Sequence, residues 1–352
     1  MIEGADLRAA VAAGKLTEAQ AASLTALAEA RCTGRTRIRR GDEPFELFRG
    51  FNEIFIVAGL GILGLGWFGI WSFFVLGFGN FRTGMTIAGT SSLVVIAWLA
   101  EYFVRYRRMV APAIVLTLAW GLVTLTIWGV WTGGVTLLGG LRPADAAVAL
   151  AGTMAATFLF WMRYRVPFAM AILALAGLGA LILTLTTLSG RDATFDNLFD
   201  LNDAGPFAVG TLAFGLVLFG IAMWFDMGDP HRISLRSSNG FWLHLVAAPA
   251  IVNTVAPTLV DRGTVPSMVA LSLFLCLIAT VAVIIDRRSF LIAAMGYVVA
   301  LAFLALDGPG ISIAILILGA ALVGLGAGWQ RVRAFLLRPL PEALCRRLPA
   351  SA

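Results

Sequence analysis

Lysine is almost missing from this chain: Lys15 is its only one, and histidine occurs twice, at His231 and His244. Charged residues make up only 13% of the 352, against about 25% in an ordinary soluble domain, while 59% are hydrophobic. A deficit of this size, spread over nearly the whole length, excludes a single water-soluble core, because most helices must then meet lipid or each other. The three cysteines, Cys32, Cys276 and Cys345, lie far apart and imply neither a disulfide framework nor a metal site. Two histidines leave little from which to build a hydrolase. There is no serine elbow, no zinc-binding helix motif and no P-loop that would make the chain itself an ATP-driven pump. No catalytic residue, metal or cofactor is expected, and an intramembrane enzyme ranks behind the non-enzymatic readings.

What the chain does have is a series of long, nearly charge-free apolar runs separated by brief polar turns. Ten are long enough to cross a bilayer, near 54–77, 84–104, 110–132, 145–162, 166–188, 205–225, 240–259, 266–285, 289–306 and 310–329. The expected fold is therefore all-α: a polytopic transmembrane helical bundle of about ten spans, covering 44–330. A small N-terminal cytosolic helical hairpin and basic linker precede it (1–43), and a basic cytosolic tail follows (331–352). The first apolar run begins only after about fifty residues, so no cleavable signal peptide is expected.

The net charge of +6 comes almost wholly from arginine in short clusters between the runs, the pattern that orients a membrane protein rather than one that builds a nucleic-acid groove. With both termini in the cytoplasm, 22 of the 26 Lys and Arg residues fall on the cytoplasmic side, and only Arg82, Arg142, Arg191 and Arg262 fall outside. The linker Arg31, Arg35, Arg37, Arg39 and Arg40 suits anionic lipid headgroups. Pro44 is expected to open an interfacial helix with Phe45, Phe48 and Phe51 on one face, and Arg49 to pair with Glu53.

Ahead of the linker, residues 5–31 read as two short helices broken at Gly14-Lys15, with Thr17 and Gln20 at capping-box spacing. The stretch Val11-Ala12-Ala13-Gly14-Lys15-Leu16-Thr17-Glu18-Ala19-Gln20-Ala21, followed by a basic linker and about ten spans, resembles a group of bacterial predicted membrane proteins of unassigned activity. Their common feature is a Gly-x-Leu-Thr-x-x-Gln-Ala hairpin ahead of a many-span domain. Phe241-Trp242-Leu243-His244-Leu245-Val246-Ala247-Ala248-Pro249 is similar to a segment of such proteins from proteobacteria. The resemblance implies the bacterial inner membrane and a cytosolic hairpin; it supplies no catalytic residue.

Two glycine patterns, Gly59-Leu60-Gly61-Ile62-Leu63-Gly64 and Gly64-Leu65-Gly66-Trp67-Phe68-Gly69, match the dinucleotide fingerprint in letters only. That chemistry needs a strand before the glycines and water around the phosphates, and both patterns lie within one span. Close helix packing is the expected use of these glycines and of Gly319, Gly324 and Gly328. The polar positions that stand out are Glu101, Asp226, His244, Asn253 and Asp286, since ionisable groups inside spans are functional candidates by default. His244 is expected about four residues into its span, within reach of headgroups, and Asn253 on the opposite helix face unless Pro249 kinks the helix. Glu101, Asp226 and Asp286 end spans beside arginines and suit salt bridges or caps. With Arg163 they recur at steps of 62, 63 and 60 residues, which suggests a repeated two-span hairpin.

Two functions fit: a transporter of a small solute or lipid, or a non-catalytic scaffold or sensor that meets a protein partner, or a second copy of itself, through its hairpin and basic tails. The topology is checked by cysteine labelling. Cysteines at positions 20 and 235 and the native Cys345 should react from the cytoplasmic side and a cysteine at 197 from the other; labelling of position 197 from the cytoplasm overturns the ten-span assignment.

Overall fold

The computed structural model describes residues 52–77, 80–133, 142–203, 205–232, 234–287 and 309–345, together with 7, 10, 11, 13–17, 20, 21, 24 and 348. Every regular element among them is helical. The long helices are α1 (Asn52–Gly77), α2 (Phe81–Ala100), α3 (Val110–Thr132), α4 (Pro143–Tyr164), α5 (Ala169–Ser189), α6 (Pro206–Met227), α7 (Leu235–Asp261), α8 (Val265–Ile284) and α9 (Pro309–Leu337), and a short α10 (Glu342–Cys345) follows. Eight of them, α1 to α8, are long and apolar enough to cross a membrane. At 1.5 Å per residue even the shortest reaches the roughly 30 Å thickness of a hydrocarbon layer. The chain is membrane-embedded. These eight helices coincide with the first eight apolar runs, and α9 contains the tenth. The ninth run, the basic linker, Cys32, Arg49 and the segment opened by Pro44 lie outside the described residues.

Local chemistry starts and stops the helices. Asn80 caps α2, its side chain accepting from the N–H groups of Arg82 and Thr83, and Thr264 forms a reciprocal capping box with Ser267 at the start of α8. Pro143 and Pro206 open α4 and α6, where a missing N–H costs nothing. Gly133 and Gly190 end α3 and α5 in the left-handed conformation that glycine adopts without strain. At the N-terminus, the Thr17 N–H donates to Gln20 Oε1 at 2.9 Å and the Gln20 N–H to Thr17 Oγ1 at 3.2 Å, so the capping box at this spacing is formed, and the chain breaks at Gly14 with φ +67°.

Threonine is tolerated in the apolar helices because its hydroxyl bonds back one turn. Thr117, Thr153 and Thr254, all buried, donate to the carbonyls of Ala113, Ala149 and Ala250 at 2.6–2.9 Å. Three apolar clusters hold the bundle: one among α2, α3 and α4 around Ala100, Leu116 and Phe160; one where α5, α6 and α7 meet around Ala174, Ala222 and Ala247; and one between α7 and α8 around Val252, Ala256 and Leu271. Helix α7 is the hub. Over half of its most apolar stretch is buried, 56%, whereas none of the corresponding stretch of α1 is.

The glycines of α1 do not pack helices together. Among the described residues, a Cβ at Gly59, Gly61, Gly64, Gly66 or Gly69 would meet nothing within 4 Å, and the same holds for Gly319, Gly324 and Gly328 in α9. Close approach occurs elsewhere. A Cβ on Gly215 of α6 would lie 2.9 Å from Ala250 Cβ and 3.4 Å from the Ala250 carbonyl carbon in α7, so the two backbones leave no space for it. Gly215→Val should therefore destabilise the purified protein by about 1–3 kcal/mol or more in thermal unfolding. Gly220→Ala, in the same helix but facing open space, should be neutral or slightly stabilising; equal effects of the two would refute this packing account.

Candidate functional site

At one end of the bundle, α6, α7 and the turn after α8 bring three ionisable side chains into a dry contact. Asp226 stands one residue before the end of α6 and is 2% exposed, and His244 of α7 is fully buried. His244 Nε2 lies 3.0 Å from Asp226 Oδ2. Because a carboxylate only accepts, the Nε2 position carries the proton whatever the charge of the ring. Arg287, just past α8, closes the group: its Nε donates to Asp226 Oδ2 at 3.0 Å, one Nη donates to Oδ1, and the same nitrogen donates to the Ser237 carbonyl of α7 at 2.7 Å. Phe219 packs edge-on against the imidazole with ring centres 5.5 Å apart. With a neutral imidazole the three groups carry no net charge; protonating it would leave an excess positive charge in a buried, apolar setting.

Gly240 makes the arrangement possible. A Cβ there would lie 2.4 Å from Asp226 Oδ1 and 3.2 Å from the Ala222 carbonyl oxygen, so only glycine lets the carboxylate sit against α7. Alongside runs a second, partly exposed cluster. Arg232 donates to Asp286 Oδ2 at 2.8 Å and to the Asp286 carbonyl at 2.9 Å, and Trp329 Nε1 of α9 donates to Asp286 Oδ1 at 2.7 Å. Asp286 and Arg232 both adopt left-handed backbone, φ +54° and +51°, and the adjacent Asp286 and Arg287 side chains enter separate clusters. Burial, reinforced by the Arg287 charge, lowers the Arg232 guanidinium below its ordinary value, although Asp286 opposes the shift. The turn is braced by Asp229, which accepts from the Ser234 N–H and hydroxyl at 2.8 and 2.7 Å.

A related pair occurs earlier in the chain. Glu101 opens a π-helical turn, Glu101–Tyr106, that extends α2, and it accepts from Arg105 at 2.7 Å and from Arg163, at the end of α4, at 2.9 and 3.0 Å. Glu101 and Arg163 are 62 residues apart, Asp226 and Arg287 61. Helices α2 and α6 begin at residues 81 and 206, and α3 and α7 at 110 and 235, the same step of 125 in each case (206 − 81 and 235 − 110). The two carboxylate–arginine pairs thus stand at corresponding helix ends, a step of 125 residues apart in the helix starts. The pairs differ in environment. Glu101 is 44% exposed and Asp226 only 2%. Gly240 and His244 are the sixth and tenth residues of α7; the sixth and tenth of α3 are Val115 and Ala119. The first half lacks both the gap and the imidazole.

Of the five positions singled out in the sequence, Asp226 and His244 meet directly, Asp286 sits in the neighbouring cluster, and Glu101 stands at the rim. Asn253 lies apart, nine residues beyond His244 and so about 13 Å further along the axis. His244 is out of contact with solvent: α7 starts at Leu235, five residues before the apolar run, so His244 is the tenth residue of its helix and packs beside the end of α6. Arg287, Gly240 and Trp329 are the participants that the sequence reading did not single out. The 61-residue step to Asp226 was the available signal for Arg287. No group of three or more His, Cys, Asp or Glu residues among the described residues could hold a metal ion. No family model, curated protein or solved structure matches the chain.

Removing one member of a buried charged pair strands the other. Arg287→Leu should cost about 3–5 kcal/mol, and the double change Asp226→Leu with Arg287→Leu markedly less than the sum of the two single changes. Additive single effects in a double-mutant cycle would show that the pair is not coupled as the geometry requires.

Proposed function

We propose that this protein is a membrane carrier of a small solute or lipid, and that the Asp226–His244–Arg287 group is the latch that holds its arginine-rich end closed. The observation that carries the reading is the complete burial of a carboxylate and an imidazole among apolar helices. Hydrophobic residues of similar volume would hold α6, α7 and α8 together at least as well. Ionisable groups are kept out of water among apolar helices where they pair, move or conduct. Two further features favour motion at this end: the π-helical turn at Glu101, a form of helix frequently found at functional sites, and the two prolines inside α7, Pro249 and Pro257, each of which removes a backbone donor from the hub helix. In keeping with the resemblance of the N-terminal segment, the carrier would reside in a bacterial inner membrane with both ends and the arginine-rich turns in the cytoplasm, next to anionic headgroups.

A second reading, a non-catalytic scaffold or sensor, is favoured by one specific observation. Glu101, Asp226 and Asp286 are each bound to an arginine, as a rigid bundle would require. In that case the N-terminal hairpin and the basic tails would serve a protein partner or a second copy.

Accessibility separates the two. Ala247 is fully buried beside the latch. In a background with Cys32, Cys276 and Cys345 replaced by alanine, Ala247→Cys should be labelled slowly by a membrane-impermeant maleimide from the arginine-rich side, and faster when Arg287→Lys weakens the latch. A control cysteine at the exposed Gln330 should label at once. Complete protection of position 247 in both backgrounds, with the control reacting, sinks the carrier reading.

A further inference from the structure

Helix α1 is held near both ends and touches the bundle between them through Leu60 and the Trp67–Ser92 hydrogen bond, but its middle is nowhere buried. At one end Glu53 is 1% exposed and accepts from the Ala111 N–H at 3.3 Å; at the other Val75 is 6% exposed. No residue of the intervening apolar stretch is buried, although Leu60, Gly64, Trp67 and Trp71 recur at helical spacing and form one face turned toward α2 and α3. That face lines an apolar cavity of about 710 Å³, closed on the other side by α2 and α3 through residues such as Ser92 and Val123.

We infer that this cavity is a lipid-binding groove, occupied by the alkyl chain of a membrane lipid lying along α1. Three observations select that occupant. The cavity runs between helices of 23 to 26 residues that cross the hydrocarbon layer, where the surrounding solvent is acyl chain. Its volume falls in the 300–1,000 Å³ range of small-molecule sites, and left empty it would cost the lining its dispersion contacts. Its polar groups are already engaged with the protein: Trp67 Nε1 donates to Ser92 Oγ at 2.8 Å, Ser72 to the Phe68 carbonyl at 2.8 Å and Thr126 to the Leu122 carbonyl at 2.9 Å. Trp71 Nε1 is the exception: it is buried without a hydrogen-bond partner among the described residues. A polar solute would find at most this one buried N–H, whereas an alkyl chain needs no partner. The groove lies away from the latch and exists whether or not the protein is a carrier.

Photolabelling tests this on the full-length protein, reconstituted in phosphatidylcholine vesicles with a trace of phosphatidylcholine bearing a diazirine on its palmitoyl chain. Label should concentrate on the peptides spanning 60–75 and 88–96, several-fold above that on the exposed Leu273 and Leu277 of α8. Gly64→Leu, whose new side chain would enter the open groove, should reduce that labelling several-fold; Gly66→Leu, off the lining face, should leave it unchanged. Val123→Phe fills the same space from α3 and decides the matter if Gly64→Leu does not fold. Label spread evenly over α1 and α8, or unaffected by filling the groove, means bulk lipid only and overturns the inference.

Discussion

The Asp226 carboxylate dictates the arrangement of half this bundle. An ion of this kind placed among apolar helices incurs a desolvation cost of several kcal/mol, and it persists only where opposite charge and hydrogen bonds surround it. Arg287 supplies the charge and two donors, and His244 a third contact. To deliver them, α7 must approach α6 closely enough that residue 240 has no side chain, and the chain after α8 must turn back over the end of both. The left-handed backbone at Asp286 and the capping of α7 by Ser234 follow from that requirement.

The Glu101–Arg163 pair shows what the same components amount to without enclosure. The helix starts and the acid-to-arginine steps match, yet valine and alanine stand where glycine and histidine stand in α7, and the carboxylate remains 44% exposed. An exposed pair of this sort contributes roughly 0–1 kcal/mol. This difference in enclosure is why the proposed latch is assigned to α6, α7 and α8 rather than to α2, α3 and α4.

Helix α1 lives by the opposite rule. It has no charge between its ends to recruit neighbours, and apolar side chains gain no hydrophobic driving force by leaving lipid for another helix. Only close van der Waals packing could draw it in, and its six glycines meet nothing close among the described residues instead. The bundle thus combines a tightly specified polar end with a loosely attached apolar helix, and these two properties suit a latch and a lipid groove respectively.

The sequence by itself determined the membrane class, eight of the helices to within a few residues, the capping box at Thr17 and Gln20, and the carboxylates at the ends of α2, α6 and α8. All of these depend on properties read along one dimension: runs of apolar residues as long as a bilayer is thick, the charges that end them, and short-range capping chemistry. It misjudged the glycines of α1, and it passed over Gly240 and Arg287. Those depend on which face of one helix meets which face of another, and periodicity says little about that when a helix is apolar all round. A glycine 14 residues beyond an aspartate looks like any other glycine until two backbones close on the carboxylate between them. Only the tertiary structure decided that Asp226, His244 and Arg287, spread over 61 residues of chain, would become one buried group, because the low dielectric that makes their union necessary is itself created by the packing of α6, α7 and α8.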